Sequence, residues 1–177
     1  LRGYDAGRIV RDGVRTVIAG RTNAGKSSLM NLLAGGEYSI VTGAPGTTRD
    51  IVERQVSAGG VKLILQDTAG LRRARAEAEK IGVARSLDAA CAAALVLCVF
   101  DCSRPLHADD RLLTERTEGK DRIAVLNKSD LPVRTDLEYI QAHFKHIVYT
   151  SALQGTGLDE LGACIARLYL SGAPADA

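Results

Sequence analysis

Gly20-Arg21-Thr22-Asn23-Ala24-Gly25-Lys26-Ser27-Ser28 decides how the rest of the chain is read. The run before it, Val14-Arg15-Thr16-Val17-Ile18-Ala19, is short, β-branched and bounded by glycine, which predicts a strand. After it, Leu29, Leu32 and Leu33 stand at helical spacing over residues 26–34, and Gly35-Gly36 predicts the stop. Strand, glycine-rich turn and helix form the context in which Gly-x-x-x-x-Gly-Lys-Ser makes a phosphate-binding loop. Glycine lets the backbone curl so that successive N–H groups face an anion, and the helix N-terminus adds its dipole. Asn23, Ala24, Gly25, Lys26, Ser27 and Ser28 are then candidates to surround a phosphate chain. Lys26 would bridge the β and γ phosphates, and the Ser27 hydroxyl would ligate Mg²⁺. This loop does not separate ATP from GTP.

Working outward, apolar segments continue to alternate in type. Residues 51–58 and 61–66 flank Gly59-Gly60, which predicts an antiparallel hairpin with a two-residue turn. A charged helical stretch over 77–90 follows. Then come a strand at 95–100, a helix from about 105 to 118, and a strand at 122–126. A helix at 136–143, a strand at 147–149 and a last helix at 158–170 complete the pattern. The continuous apolar runs LVLCVF and IAVL suit strands buried on both faces. The expected architecture is an α/β domain with a P-loop after its first strand. Its sheet would be mostly parallel and six-stranded with one antiparallel edge hairpin, and helices would cover both faces. Residues 14–171 are read as that domain, and 172–177 as a frayed tail.

Composition sets limits around this reading. The 177 residues suffice for one buried core, and 46% apolar with 25% charged residues is ordinary for a globular protein. With 23 Lys+Arg against 21 Asp+Glu, the net charge of +2 does not advertise nucleic-acid or membrane binding. No apolar run reaches the roughly 18 residues of a membrane span, and a cytoplasmic location is expected. The four cysteines, Cys91, Cys98, Cys102 and Cys164, read as buried reduced thiols. No second Cys or His pair completes a tetrahedral shell around Cys98, Cys102 and His107.

Further motifs fall at the ends of predicted strands, where α/β proteins bind ligands. Asn127-Lys128-Ser129-Asp130 follows IAVL, and an Asp130 carboxylate can accept from guanine N1–H and the 2-amino group, neither of which adenine has. Ser151-Ala152-Leu153, after the strand at 147–149, fits a second loop against the base. Asp67-Thr68-Ala69-Gly70 ends the strand at 61–66. An acid there can hold Mg²⁺ through water, and Gly70 lets a backbone N–H approach the γ-phosphate. The loop Thr42-Gly43-Ala44-Pro45-Gly46-Thr47-Thr48 offers Thr48 to complete the Mg²⁺ shell and reads as a segment that orders with the triphosphate.

Together, the P-loop, GTTRD, DTAG, NKSD and SAL, in this order, resemble translation-factor-type GTPases of the Era/Der/MnmE group. The stretches NAGKSSLMNLLAG, IVTGAPGTTRD and above all DTAGLRRARAEAEKIGVARS are similar to the MnmE (TrmE) family of tRNA-modification GTPases. The resemblance implies a P-loop GTPase (Ras-like) domain that hydrolyses GTP, part of a longer protein that works with a flavin-dependent partner on the wobble uridine of certain tRNAs. A folate-binding domain, a helical domain and a C-terminal cysteine motif would lie elsewhere, with residues 1–13 a stub of the helical domain or a linker. It also implies a K⁺ held by Asn23 with Thr42, Ala44 and Thr47, standing in for an arginine finger. Hydrolysis would then be potassium-stimulated and driven by face-to-face dimerisation of two such domains.

Leu71 stands where many Ras-type GTPases keep the glutamine that positions water. An acceptor must then come from further along, and the resemblance assigns that role to Glu79, with Glu77 the neighbouring acid. Two alternatives stay open: a ribosome-assembly GTPase of the Der or Era type, and a guanine-nucleotide switch module that does not hydrolyse, which Leu71 favours.

Overall fold

The computed structural model describes residues 12–35, 53–66 and 89–171. Among these residues, six strands form one sheet: β1 (Val14–Ala19), β2 (Glu53–Ala58), β3 (Val61–Gln66), β4 (Leu95–Asp101), β5 (Asp121–Asn127) and β6 (Ile147–Tyr149). Their order across the sheet is β2-β3-β1-β4-β5-β6, with β2 and β3 antiparallel and every other pairing parallel. Four helices accompany them among the described residues: α1 (Lys26–Gly35), α2 (Ala108–Arg116), α3 (Leu137–His143) and α4 (Leu158–Tyr169). This is the mostly parallel sheet with an antiparallel edge hairpin that the apolar runs imply.

Alternation along the strands sorts the core into two layers. Leu95, Leu97 and Val99 of β4 pack with Leu29 and Leu33 of α1 and with Leu161 and Ile165 of α4. Val96, Cys98 and Phe100 of the same strand pack with Leu113 of α2 and with Ile140 and Phe144, on and just after α3. All seven β4 residues are buried, so this strand has no polar face to spend. Truncating a leucine such as Leu97 to alanine costs about 2–5 kcal/mol in such a position.

The hairpin is half-buried, and the burial of β3 alternates residue by residue. Gly59 and Gly60 both have positive φ, 59° and 79°, the conformation a two-residue hairpin turn needs. A Cβ on Gly59 would also overlap the Gly162 carbonyl, so the turn lies directly on α4 at a residue without a side chain.

Two expectations need correction. The helix expected from about 105 runs only over Ala108–Arg116, because His107 and Asp110 close its start. The Asp109 N–H donates to His107 Nδ1 (3.3 Å), and the His107 N–H donates to the Asp110 carboxylate (2.8 Å). Among the cysteines, Cys98, Cys102 and Cys164 are buried, but Cys91 is exposed, on the outer side of a helical turn at 89–92.

β1 is the topological switch of the sheet, with β3 on one side and β4 on the other. Ligands of open α/β sheets bind at the carboxyl ends of the strands beside such a point. The loops that follow β1, β4, β5 and β6 all open there.

Candidate functional site

The loop after β1 is held in shape from within. Asn23 (φ 65°) and Gly25 (φ 100°) both take left-handed conformations, which turns backbone N–H groups inward. The Ala24 N–H donates to the Arg21 carbonyl (3.3 Å), and the Leu29 N–H closes the first turn of α1 on the Gly25 carbonyl (2.9 Å). The Lys26 ammonium donates to the Arg21 carbonyl at 2.6 Å, laying the side chain back across the loop. No acidic residue stands in the first turn of α1. A left-handed pair and a helix whose own first turn carries no carboxylate suit an anionic phosphate chain. Ser27 lies in that first turn, partly buried, whereas Ser28 is exposed. These donors fit a Mg²⁺-bound triphosphate: Ser27 would hold the ion, which when bound neutralises charge on the phosphate oxygens.

Asn127, the last residue of β5, ties three loops together. Its Nδ2 donates to the Ala24 carbonyl (2.9 Å), and its Oδ1 accepts from the Thr150 hydroxyl (3.2 Å) and the Ala152 N–H (3.0 Å). At 2% exposure the side chain is a brace between the phosphate loop and the Ser151-Ala152-Leu153 loop. This explains Gly25 as well, since a Cβ there would overlap Asn127 Nδ2.

Asp130 is exposed, and one oxygen of its carboxylate accepts from the buried Ser151 hydroxyl at 2.5 Å. Ser151 Oγ in turn accepts from the Gln154 N–H (3.2 Å), and the Ser129 N–H donates to the Thr150 carbonyl (3.0 Å). The two loops predicted to face a base are therefore cross-linked, with the Asp130 carboxylate at their rim. Leu153 projects into solvent at 87% exposure.

Lys128 also has positive φ, 65°, a conformation a lysine rarely adopts. Its ammonium donates to Asp101 Oδ2 at 2.6 Å. Asp101 ends β4, and its second oxygen accepts from the Ser103 N–H (3.0 Å) and hydroxyl (2.6 Å). Burial pushes this carboxyl up, but the bonds from Lys128 and Ser103 outweigh it and hold the group below the usual aspartate range. Asp101 belongs to none of the sequence motifs. The available signal was its place directly after LVLCVF, the same relation that NKSD has to IAVL.

Asp110 behaves in the opposite way. Burial pushes its carboxyl up, and Arg21 Nε at 3.9 Å is too distant to reverse this. Its Oδ1 is buried and has no hydrogen-bond partner among the described residues. Between the outer side of the phosphate loop (Arg21, Thr22, Asn23) and Asp101, Arg104 and His107 lies an open cleft of about 200 Å³.

The remaining candidates lie outside the described residues: Thr42, Gly43, Ala44, Pro45, Gly46, Thr47, Thr48, Asp67, Thr68, Ala69, Gly70, Leu71, Glu77 and Glu79. Among the described residues, the structure thus brings together Asn23–Ser27, Asn127–Asp130 and Ser151–Leu153 at one sheet edge.

A phosphate loop on β1 and a braced NKSD loop on β5 of a β2-β3-β1-β4-β5-β6 sheet define the class as a P-loop GTPase domain. The model of the family described as 50S ribosome-binding GTPase matches residues 15–128, and the chain belongs to that family. Over most of its length it is also similar to tRNA modification GTPases MnmE. It is 46% identical to that of Levilactobacillus brevis over 165 residues, covering 92% of this chain and 36% of the relative. It is 46% identical to that of Geobacillus kaustophilus over 168 residues, covering 94% and 36%. The chain therefore spans little more than a third of the length of these relatives.

Solved structures agree on the fold. A point variant of Aquifex aeolicus Era bound to GDP·AlF4⁻ matches with a TM-score of 0.62 at 25% identity, covering 93% of this chain and 59% of that one. The G domain of the T. maritima FeoB iron transporter matches with a TM-score of 0.59 at 27% identity, covering 87% and 97%. Among the described residues, no helix is long and apolar enough to cross a membrane.

Proposed function

We propose that this chain is the guanine-specific, GTP-hydrolysing G domain of an MnmE-type protein that takes part in modifying the wobble uridine of tRNA. The observation that carries the guanine assignment is the Ser151–Asp130 bond at the carboxyl edge of the sheet. It fixes one oxygen of an exposed carboxylate and leaves the other to accept from guanine N1–H and the 2-amino group. Asn127 sets the distance between that carboxylate and the phosphate loop, so base and phosphates are measured against each other. Similarity to MnmE proteins over most of the chain supports the tRNA role, with tRNA and a flavin-dependent enzyme as partners of the longer protein in the cytoplasm.

In this reading Lys26 and the N-terminus of α1 hold the β and γ phosphates, and Ser27 with Thr48 holds Mg²⁺. Asn23, Thr42, Ala44 and Thr47 would hold K⁺, which when bound would supply positive charge against the charge that develops in phosphoryl transfer. Glu79 orients the attacking water, since Leu71 has no group to do so. Two G domains meet during hydrolysis. Equilibrium binding tests the base assignment: GTP should bind far more tightly than ATP. ATP affinity within tenfold of GTP, a difference of about 1.4 kcal/mol, would contradict it.

A further inference from the structure

We propose that Asp101 is a positioning residue for guanine recognition, holding the Lys128 ammonium away from Asp130. The inference rests on Asp130 being the acceptor of the base. Parallel pairing of β4 and β5 sets Asp101 opposite Asn127, so the acid stands beside the start of the NKSD loop. Lys128 enters that loop with φ 65° and is held there at both ends. Its ammonium donates to Asp101 Oδ2 (2.6 Å), and its carbonyl accepts from the Leu131 N–H (3.0 Å) and the Cys102 thiol (3.2 Å). The Cys102 N–H donates in turn to the Asn127 carbonyl (3.0 Å). The Asp101 side chain, only 3% exposed, is fixed by both Ser103 donors, so it is an immobile anchor for a side chain that is itself 31% exposed.

The chemistry gives this anchor a purpose. Lys128 lies two residues from Asp130, and a lysine ammonium on a flexible stem seeks the nearest carboxylate. Paired with Asp130, it would occupy the oxygen that must accept from the base and would neutralise the charge that attracts those donors. Paired with Asp101, it leaves Asp130 to its Ser151 bond and to the ligand. A buried carboxylate with two further donors competes better for the ammonium than an exposed one, because its attraction is less screened by water.

The test is a double-mutant cycle read as the dissociation rate of a fluorescent GDP from Asp101→Asn, Lys128→Met and the double variant. Asp101→Asn is expected to speed release about tenfold, the scale of one charge-assisted bond. The double variant should release no faster than the faster single variant, because the aspartate acts through the lysine. A purely structural role would give multiplied rates, and that result, or an unchanged rate in Asp101→Asn, overturns the proposal. Ser103→Ala, which removes one of the bonds fixing the carboxylate, should speed release about two- to threefold. If Asp101→Asn does not fold, an unchanged rate in Ser103→Ala overturns it instead. Asp130→Asn separates the two levels. If it turns preference from guanine to xanthine nucleotides while Asp101→Asn has no effect, only the role of Asp101 is lost. If it turns nothing, the base assignment is lost with it.

Discussion

The side-chain amide of Asn127 donates to the main-chain carbonyl of Ala24 at 2.9 Å, joining residues 103 positions apart in the chain. This bond connects the glycine-rich loop after β1 to the loop after β5, the two loops proposed above to hold the phosphates and the base. It also explains why Gly25 has no side chain, since the amide passes where a Cβ would be.

Asn127→Ala removes three bonds at once and takes the shared partner from the Ala24 carbonyl, the Thr150 hydroxyl and the Ala152 N–H. Leaving buried groups unpaired costs about 1–3 kcal/mol each. The expected result is a Tm lower by several degrees together with weaker binding of both GDP and GTP. A wild-type Tm with lost binding would make Asn127 a ligand contact and not a brace.

The thiols should separate cleanly. Burial pushes the Cys98 thiol up to about 12 and raises Cys102 and Cys164, while Cys91 is exposed. Since the thiolate is the reactive form, one thiol per native chain should react quickly with a disulfide reagent at pH 8, and four after denaturation. Peptide mapping should place the fast label on Cys91, and a fast label on Cys98 would contradict the burial of β4.

Asp110 should give a pH signature of its own. Its raised folded value means that the folded state holds the proton more tightly than the unfolded chain. Stability from this group is therefore greatest below the ordinary aspartate value and declines as pH rises through the raised one. Asp110→Asn removes that decline, so the variant should gain stability relative to wild type as pH goes from 4 to 7. Chemical denaturation at the two pH values checks this. The opposite trend would show that the charged Asp110–Arg21 pair stabilises the fold.

Much of this was legible in the sequence because long-period signals carried it. The glycine-rich loop, the paired glycines of the hairpin and the continuous apolar runs each have one physical reading, and the sheet follows them. What was not legible depends on contacts between distant residues. Nothing in Asp101 alone names Lys128 as its partner. Nothing in NKSD alone shows that the Asn127 amide braces two loops. His107 shortens α2 because a histidine in this place caps a helix, and the apolar spacing does not carry that information. Cys91 belongs by composition to the apolar stretch after it, but it lies on the outer side of its turn.

The hydrolytic step is tested at Glu79. Glu79→Ala should lower turnover by roughly 10²–10⁴-fold, the range of water-positioning and acid–base effects, with GTP affinity within a few-fold. Glu77→Ala should do much less. Turnover of the wild type should be faster in K⁺ than in Na⁺, with dimers appearing alongside it. Equal rates in the two salts at high protein concentration would remove the K⁺ role from Asn23.

The most direct measurement of the central claim is hydrolysis by Asp130→Asn, with GTP and xanthosine triphosphate compared side by side in K⁺ and Mg²⁺. An amide at 130 can donate to the 2-oxo group of xanthine, whereas a carboxylate cannot. Wild type should prefer GTP, and the variant should prefer xanthosine triphosphate with its turnover retained. A variant that keeps its preference for GTP would contradict the assignment of Asp130, and with it the reading of this sheet edge as a guanine site.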